Sequence, residues 1–186
     1  MTNVEASVLT ELIQQSLNNG KTAVLTVTSN SMSPLLRQGD QVFLKSIPVE
    51  HLKIGDVITI TAVSDLLTHR FWGAVEENGQ LTLRTRGDRP LLHDPAHAPA
   101  DLLGRITARR RRGRELSLVT GPGGWLNRRL AFLSRWEWRW LHGRFHPDRP
   151  SLFLRLVRRV IYAWACLLTA VVEQITRFQP TPSGQT

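Results

Sequence analysis

From Thr22 onward, apolar and β-branched residues come in short runs divided by Gly, Asp and Pro, and within each run they alternate as half-buried strands do. The runs are TAVLTVT (22–28), QVFLK (41–45), DVITITA (56–62), LTHRFWGAV (67–75), QLTLRT (80–85), LLGRITAR (102–109) and RELSLVT (114–120). EENG at 76–79 and RRRG at 110–113 read as hairpin connections. No helical pattern alternates with these runs, which excludes a doubly wound sheet, and no internal repeat is present. Close, fairly regular spacing of many strands predicts a mainly β domain over 22–120, built as a small barrel or sandwich.

The period changes twice. The opening MTNVEASVLTELIQQSLNNG (residues 1–21 with Lys21) is polar and patterned as a short amphipathic helix, not as a secretory leader, so the front half is expected to be soluble. Gly121-Pro122-Gly123-Gly124 is a breaker cluster that should end the β domain. Beyond it, Trp125 to Leu141 has helical spacing, with Leu126, Leu130, Leu133 and Trp140 on one side and Arg128, Arg135 and Arg139 elsewhere. HGRFHPDRPS reads as a turn. Leu152 to Phe178 is a second helical pattern, whose Arg155, Arg158, Arg159, Tyr162, Thr169, Glu173 and Arg177 fall close to one stripe. Residues 121–178 therefore form a basic amphipathic helical hairpin, and 179–186 a frayed, disordered end.

Charge sharpens this division. Residues 1–104 hold 8 Lys+Arg against 11 Asp+Glu and residues 105–186 hold 16 against 4, so a total of +9 divides into −3 and +12. A basic tail suits phosphate groups, on lipid or on nucleic acid, and charge alone does not choose between them. The single cysteine, Cys166, cannot form an intrachain disulfide, so the fold needs no oxidising compartment.

The most informative segment is Ser29-Asn30-Ser31-Met32-Ser33-Pro34, leading through Leu35-Leu36-Arg37-Gln38 to Gly39-Asp40. Downstream come Lys53-Ile54-Gly55-Asp56-Val57-Ile58, then Thr68-His69-Arg70, then Thr85-Arg86-Gly87-Asp88, and finally Gly104-Arg105-Ile106. In this order the five elements resemble those of signal peptidase I family serine peptidases: the Ser-Met-x-Pro nucleophile segment, a second Gly-Asp strand, the base segment, a Thr-Lys/Arg-Gly-Asp element and a closing strand. The resemblance spans roughly Val24 to Thr120 and none of the two C-terminal helices. It implies the barrel-type β fold that signal peptidases share with LexA-type repressors, in agreement with the strand reading.

The resemblance implies Ser31 as nucleophile and His69 as general base. A lysine holds the base position in typical bacterial signal peptidases and LexA-type proteins; histidine resembles the endoplasmic-reticulum and archaeal branch. A neutral imidazole can accept the serine proton near neutral pH without the burial that a lysine base needs. In that branch an acid follows the Thr-Lys/Arg-Gly-Asp element, which points to Asp94 as third member, with Asp88 as the alternative. Asp40 and Asp56 read as turn residues. The oxyanion donors implied are the backbone N–H of Ser31 and the hydroxyl of Ser29. The chain departs from the family at Asn30, where the family usually has Gly before the nucleophile.

Other features carry less. His93 and His97 lie four apart, but Pro95 and Pro99 break the helix that would align them, so neither a metal site nor any cofactor is expected. The arginine run 109–112 has no recognised nucleic-acid motif beside it, so a nucleic-acid partner is not expected. The apolar run 160–172 is shorter than the roughly 20 residues that cross a bilayer comfortably. Trp125, Trp136, Trp138 and Trp140 among arginines suit an anionic headgroup interface, with a true span as second choice and packing on the β domain or on a partner protein as the alternative. The expectation is a hydrolase: a serine endopeptidase that cuts a leader or signal peptide from a precursor after small residues, attached to the membrane through its tail with its catalytic domain on the cytoplasmic side. The rivals are an inactive peptidase-fold binding module and a LexA-like self-cleaving regulator.

Overall fold

The computed structural model describes residues 3–62, 65–77, 79–142 and 152–177. The turn expected over 142–151 and the frayed end over 179–186 fall almost wholly or wholly outside them. Helix α1 (Asn3–Asn18) precedes seven strands: β1 (Ala23–Thr26), β2 (Gln41–Lys45), β3 (Val57–Ala62), β4 (Asp65–Glu77), β5 (Gln80–Arg86), β6 (Leu102–Arg111) and β7 (Arg114–Ser117). Each expected run is a strand. All pairings are antiparallel, in the order β1-β2-β6-β3-β4-β5, with β7 also paired to β6. This sheet remains open, which corrects the barrel-type expectation: β1 and β5 do not pair.

Strand β6 is the organiser. Its one edge pairs with β2 from Arg105 to Arg110, while the other pairs with β3 near Leu102–Arg105 and then with β7 from Ala108 to Arg111. Register shifts interrupt the ladders at Phe43/Leu44 and Thr59/Ile60, both against β6, and at Phe71/Gly73 between β4 and β5. The expected 110–113 turn is tighter than its sequence signal. Arg111 and Arg114 close the β6–β7 ladder, leaving Arg112 and Gly113, both with positive φ (51° and 75°), as the two-residue connection.

The Gly-Pro-Gly-Gly cluster does not separate sheet from helix. It forms the first turn of α2 (Gly121–Leu141), where the missing N–H of Pro122 costs nothing. A Cβ on Gly123 would lie 2.0 Å from the Ser117 carbonyl oxygen, so glycine lets the helix start directly against β7. Helices α2 and α3 (Leu152–Arg177) are not an appended tail. Leu126 and Leu130 of α2, Ala165 and Val172 of α3, and Ile13 and Leu17 of α1 share one core with Met32, Leu35, Val42, Leu44 and Ile106. A second cluster, Ile58, Ile60, Phe71 and Leu83, fills the β3–β5 end.

Helix α3 turns its polar stripe toward the protein. Most of the stripe read as polar faces the protein: Thr169 is fully buried, Tyr162 bonds Ser33, Arg158 bonds Glu137, and Glu173 bonds Arg109 and Arg111. The large apolar side chains point out, among them Leu156, Trp164 and Leu167, each more than half exposed. No described helix is long and apolar enough to cross a membrane, which removes the spanning alternative for α3. Of the tryptophans, Trp125, Trp136 and Trp140 are exposed, but Trp138 turns inward against His93.

Two arginines fix α2 to the sheet. Arg70 and Arg86 are cross-strand partners on β4 and β5 and therefore share a face. Arg70 donates to Asn127 Oδ1 at 2.7 Å, and Arg86 donates to the carbonyl and hydroxyl of Ser134, two helical turns on. Burial pushes the Arg86 guanidinium down to about 10, with the Asp88 and Glu137 charges opposing that fall. Arg70 is fully buried and donates to both oxygens of Asp88, at 2.8 and 2.6 Å. Removing one partner of such a pair strands the other, so Arg70→Met should lower unfolding stability by about 3–5 kcal/mol. A urea midpoint unchanged by Arg70→Met would contradict this reading of the pair.

Candidate active site

The alternation of β4 sorts its residues. Arg70 faces α2, so its neighbour His69 faces the opposite side, where Phe71 and the cross-strand Thr85 also lie. That side meets the loop between β1 and β2. Its base is closed by backbone bonds from Val27 to Asp40 and from Gly39 to Val27. Met32, Leu35 and Leu36, each at most 2% exposed, plug it into the core. Arg111 clamps its far end by donating to both oxygens of Asp40 and to the carbonyls of Pro34 and Leu35. Ser31 sits half-buried at the rim of this anchored loop.

Three predicted residues come together in one hydrogen-bonded line. His69 Nε2 lies 2.9 Å from Ser31 Oγ, and His69 Nδ1 lies 2.7 Å from Asp94 Oδ2. The same Asp94 oxygen accepts the Thr85 hydroxyl at 2.7 Å, and Asp94 N–H donates to the Thr85 carbonyl at 3.0 Å. With a carboxylate on Nδ1, the neutral ring carries its proton there and turns an acceptor toward serine. Burial tends to raise the Asp94 carboxyl, but the hydrogen bonds from His69 and Thr85 outweigh it and hold it below the usual carboxylate range.

Asp88 is not part of this line: both its oxygens are taken by Arg70, so the alternative acid is a structural partner one strand face away. Asp40 and Asp56 accept turn N–H groups of Arg37 and Lys53, as turn residues do. Ser29 Oγ lies 3.2 Å from Ser31 Oγ and accepts the Ser31 N–H at 3.5 Å, so the two expected oxyanion donors adjoin Ser31 Oγ and contact one another. Asn30 needs no left-handed backbone, since Arg112 is the only described non-glycine residue with positive φ. Its carboxamide oxygen instead accepts the Gln38 N–H at 3.1 Å, bracing the loop. The histidines His93 and His97 are engaged separately, His93 near the Thr85 carbonyl and His97 in a backbone bridge to Leu83.

Two positioning residues escaped the sequence reading, although the Thr-Arg-Gly-Asp element contains both. Thr85 fixes the acid. Gly87 packs against the His69 ring and the Ser31 backbone: a Cβ there would stand 3.0 Å from His69 Nε2, 3.0 Å from the Ser31 carbonyl oxygen and 2.8 Å from Pro90 Cδ. The Arg89 N–H, two residues on, donates to that same Ser31 carbonyl at 2.9 Å. Tyr162 of α3 reaches Ser33 Oγ at 2.9 Å, a contact between distant segments with no signal in either. No protein-family model matches this chain, and no curated protein matches it either.

Under the roles that the signal-peptidase resemblance implies for Ser31 and His69, a displacement near 1 Å costs on the order of 100-fold, so Gly87→Ala should lower turnover by about that factor while circular dichroism stays that of the folded chain. Full turnover in Gly87→Ala would show that the imidazole has room to spare. Acid provides a second measurement. The stability contributed by a carboxylate held low is complete above its unfolded pKa and is lost as pH falls through the lower folded value. Urea midpoints followed below about pH 4 should therefore fall more steeply for the wild type than for Asp94→Asn.

Proposed function

We propose that this chain is a serine endopeptidase of the signal peptidase type, with histidine in the base position. The observation that carries the reading is the unbroken line Ser31 Oγ to His69 to Asp94, with each step at 2.9 Å or less. Core histidines do bond carboxylates, and surface serines do bond histidines. A serine that carries two hydroxyl or N–H donors beside it, while its histidine is oriented by a carboxylate that is itself oriented by a threonine, is the arrangement acyl transfer needs.

In this mechanism Ser31 Oγ attacks the scissile carbonyl as its proton passes to His69 Nε2, and the imidazolium formed is stabilised by Asp94. The carbonyl oxygen gains negative charge and takes hydrogen bonds from the Ser31 N–H and the Ser29 O–H. Collapse of the tetrahedral intermediate breaks the C–N bond, and the leaving amine takes the proton from His69. Water then attacks the acyl-enzyme, gives its proton to His69, and releases the carboxyl product with Ser31 restored. The resemblance to signal peptidases supports a leader or signal peptide within a precursor as substrate, cut after small residues.

A serine-directed acylating probe, read by intact mass, tests the reading. The wild-type chain should take up one acyl group and Ser31→Ala none; the absence of labelling on a folded wild-type chain would favour a binding module instead. Ser29→Ala should slow peptide cleavage by about 10 to 1,000-fold through one lost oxyanion donor. Asp94→Asn should cut kcat by up to about 10⁴-fold through the wrong imidazole tautomer, whereas Asp88→Asn should act chiefly on stability. Equal kinetic losses from the two aspartates would contradict this division of roles.

A further inference from the structure

An amphipathic helix on a folded domain normally turns its apolar face to the core. Helix α3 does the reverse over most of its length. Leu156, Val160, Trp164, Leu167, Val171 and Ile175 repeat at intervals of three and four along the outer side, each between 46% and 60% exposed. They form a stripe about 29 Å long at 1.5 Å per residue. The inner side is held by polar contacts that cannot be exchanged for these residues without stranding buried charge. Glu173 meets Arg109, which is 2% exposed, at 2.5 Å, and Arg158 meets Glu137 at 2.9 Å. The outward apolar face is thus built into the fold.

The charges around the stripe identify what it fits. Both carboxylates of α2 and α3, Glu137 and Glu173, are spent on inward arginines. The exposed ionic groups on the two described helices are all arginines: Arg155, Arg159 and Arg177 on α3, and others including Arg128, Arg135 and Arg139 on α2. Exposed Trp125, Trp136 and Trp140 lie among the α2 arginines, and Trp164 lies in the stripe itself. A second copy docked on this face would bring arginine against arginine with no carboxylate on either helix to answer it. We propose that the outward face of α3 docks on an anionic lipid bilayer, the helix lying in the interface with its apolar stripe among acyl chains and the arginines among headgroups. Because no described helix is long and apolar enough to cross a membrane, the helix rests on the bilayer and does not span it.

The inner side of the same helix contacts the loop that bears Ser31 and its neighbours. Tyr162 bonds Ser33, and Arg158 donates to the Arg89 carbonyl at 2.5 Å while the Arg89 N–H holds the Ser31 carbonyl. Docking would therefore hold Ser31 in a fixed relation to the lipid surface. The docking proposal does not rest on the peptidase reading, since it concerns binding alone.

Flotation of the full chain with vesicles of phosphatidylcholine, with and without phosphatidylglycerol, tests it. The chain should bind the anionic vesicles at least about tenfold better than the neutral ones, and added salt should weaken that binding without abolishing it. Replacing two outward residues, Leu156→Gln with Leu167→Gln, should lower binding by about tenfold or more, with circular dichroism and acyl-probe labelling unchanged. Equal binding to both vesicle types, flotation unaffected by the double substitution, or no flotation with a dimer by light scattering that the double substitution dissolves would each overturn the proposal. Loss of labelling with flotation intact would count against the peptidase reading alone.

Discussion

The buried guanidinium of Arg70 sets the terms for the rest of the molecule. A cation with no exposed surface must be matched by acceptors, and the ones it finds come from three separate parts of the chain: both oxygens of Asp88, the Gly55 carbonyl and the Asn127 side chain. Meeting that requirement joins the β3 entry turn, the loop after β5 and helix α2 to the residue adjoining His69. Because Arg70 is held from one face of β4, the imidazole next to it is presented on the other, at a fixed depth. The loop drawn in by Asp88 also carries Gly87 and Arg89 to Ser31 and leads on to Asp94.

A second set of buried arginines explains the helices. The run from Arg109 to Arg112 lies along β6 and its turn, so strand alternation sends Arg109 and Arg111 to one side and Arg110 to the other. Arg110 stays exposed and pairs with Glu115, over the ring of Phe43. Arg109 and Arg111 point inward and need anions. Asp40 answers one of them from the nucleophile loop, and Glu173 answers both from α3. A run that looks like a phosphate-binding patch is in large part the internal fastening of the molecule. Its effect is to hold α3 by its polar side, and the outward apolar stripe follows from that.

The two arginine systems meet at the candidate site from opposite directions. Arg70 secures His69 and the loop leading to Asp94, while Arg111 secures the loop bearing Ser31 through Asp40 and two carbonyls. Ser31, His69 and Asp94, 38 and 25 residues apart in sequence, are thus placed by anchored neighbours.

Seven strands were legible in the sequence because each depends on a local pattern, apolar alternation between breakers, which is a property of a few adjacent residues. Ser31, His69 and Asp94 stood out only through the resemblance of short motifs to those of signal peptidases, and it is the tertiary structure that sets the three in one hydrogen-bonded line. Asp94 and Asp88 could not be separated by spacing, since both follow Thr85 within one irregular loop and only the path of that loop decides which carboxylate returns to the imidazole and which goes to Arg70. Thr85 and Gly87 were visible as part of a motif, but their roles depend on cross-strand register and on how closely a loop approaches His69. The amphipathic pattern of residues 152–177 likewise defined two faces without saying which lies inward. That choice was made in three dimensions, by buried guanidinium groups whose need for a carboxylate outweighed the burial of an apolar stripe.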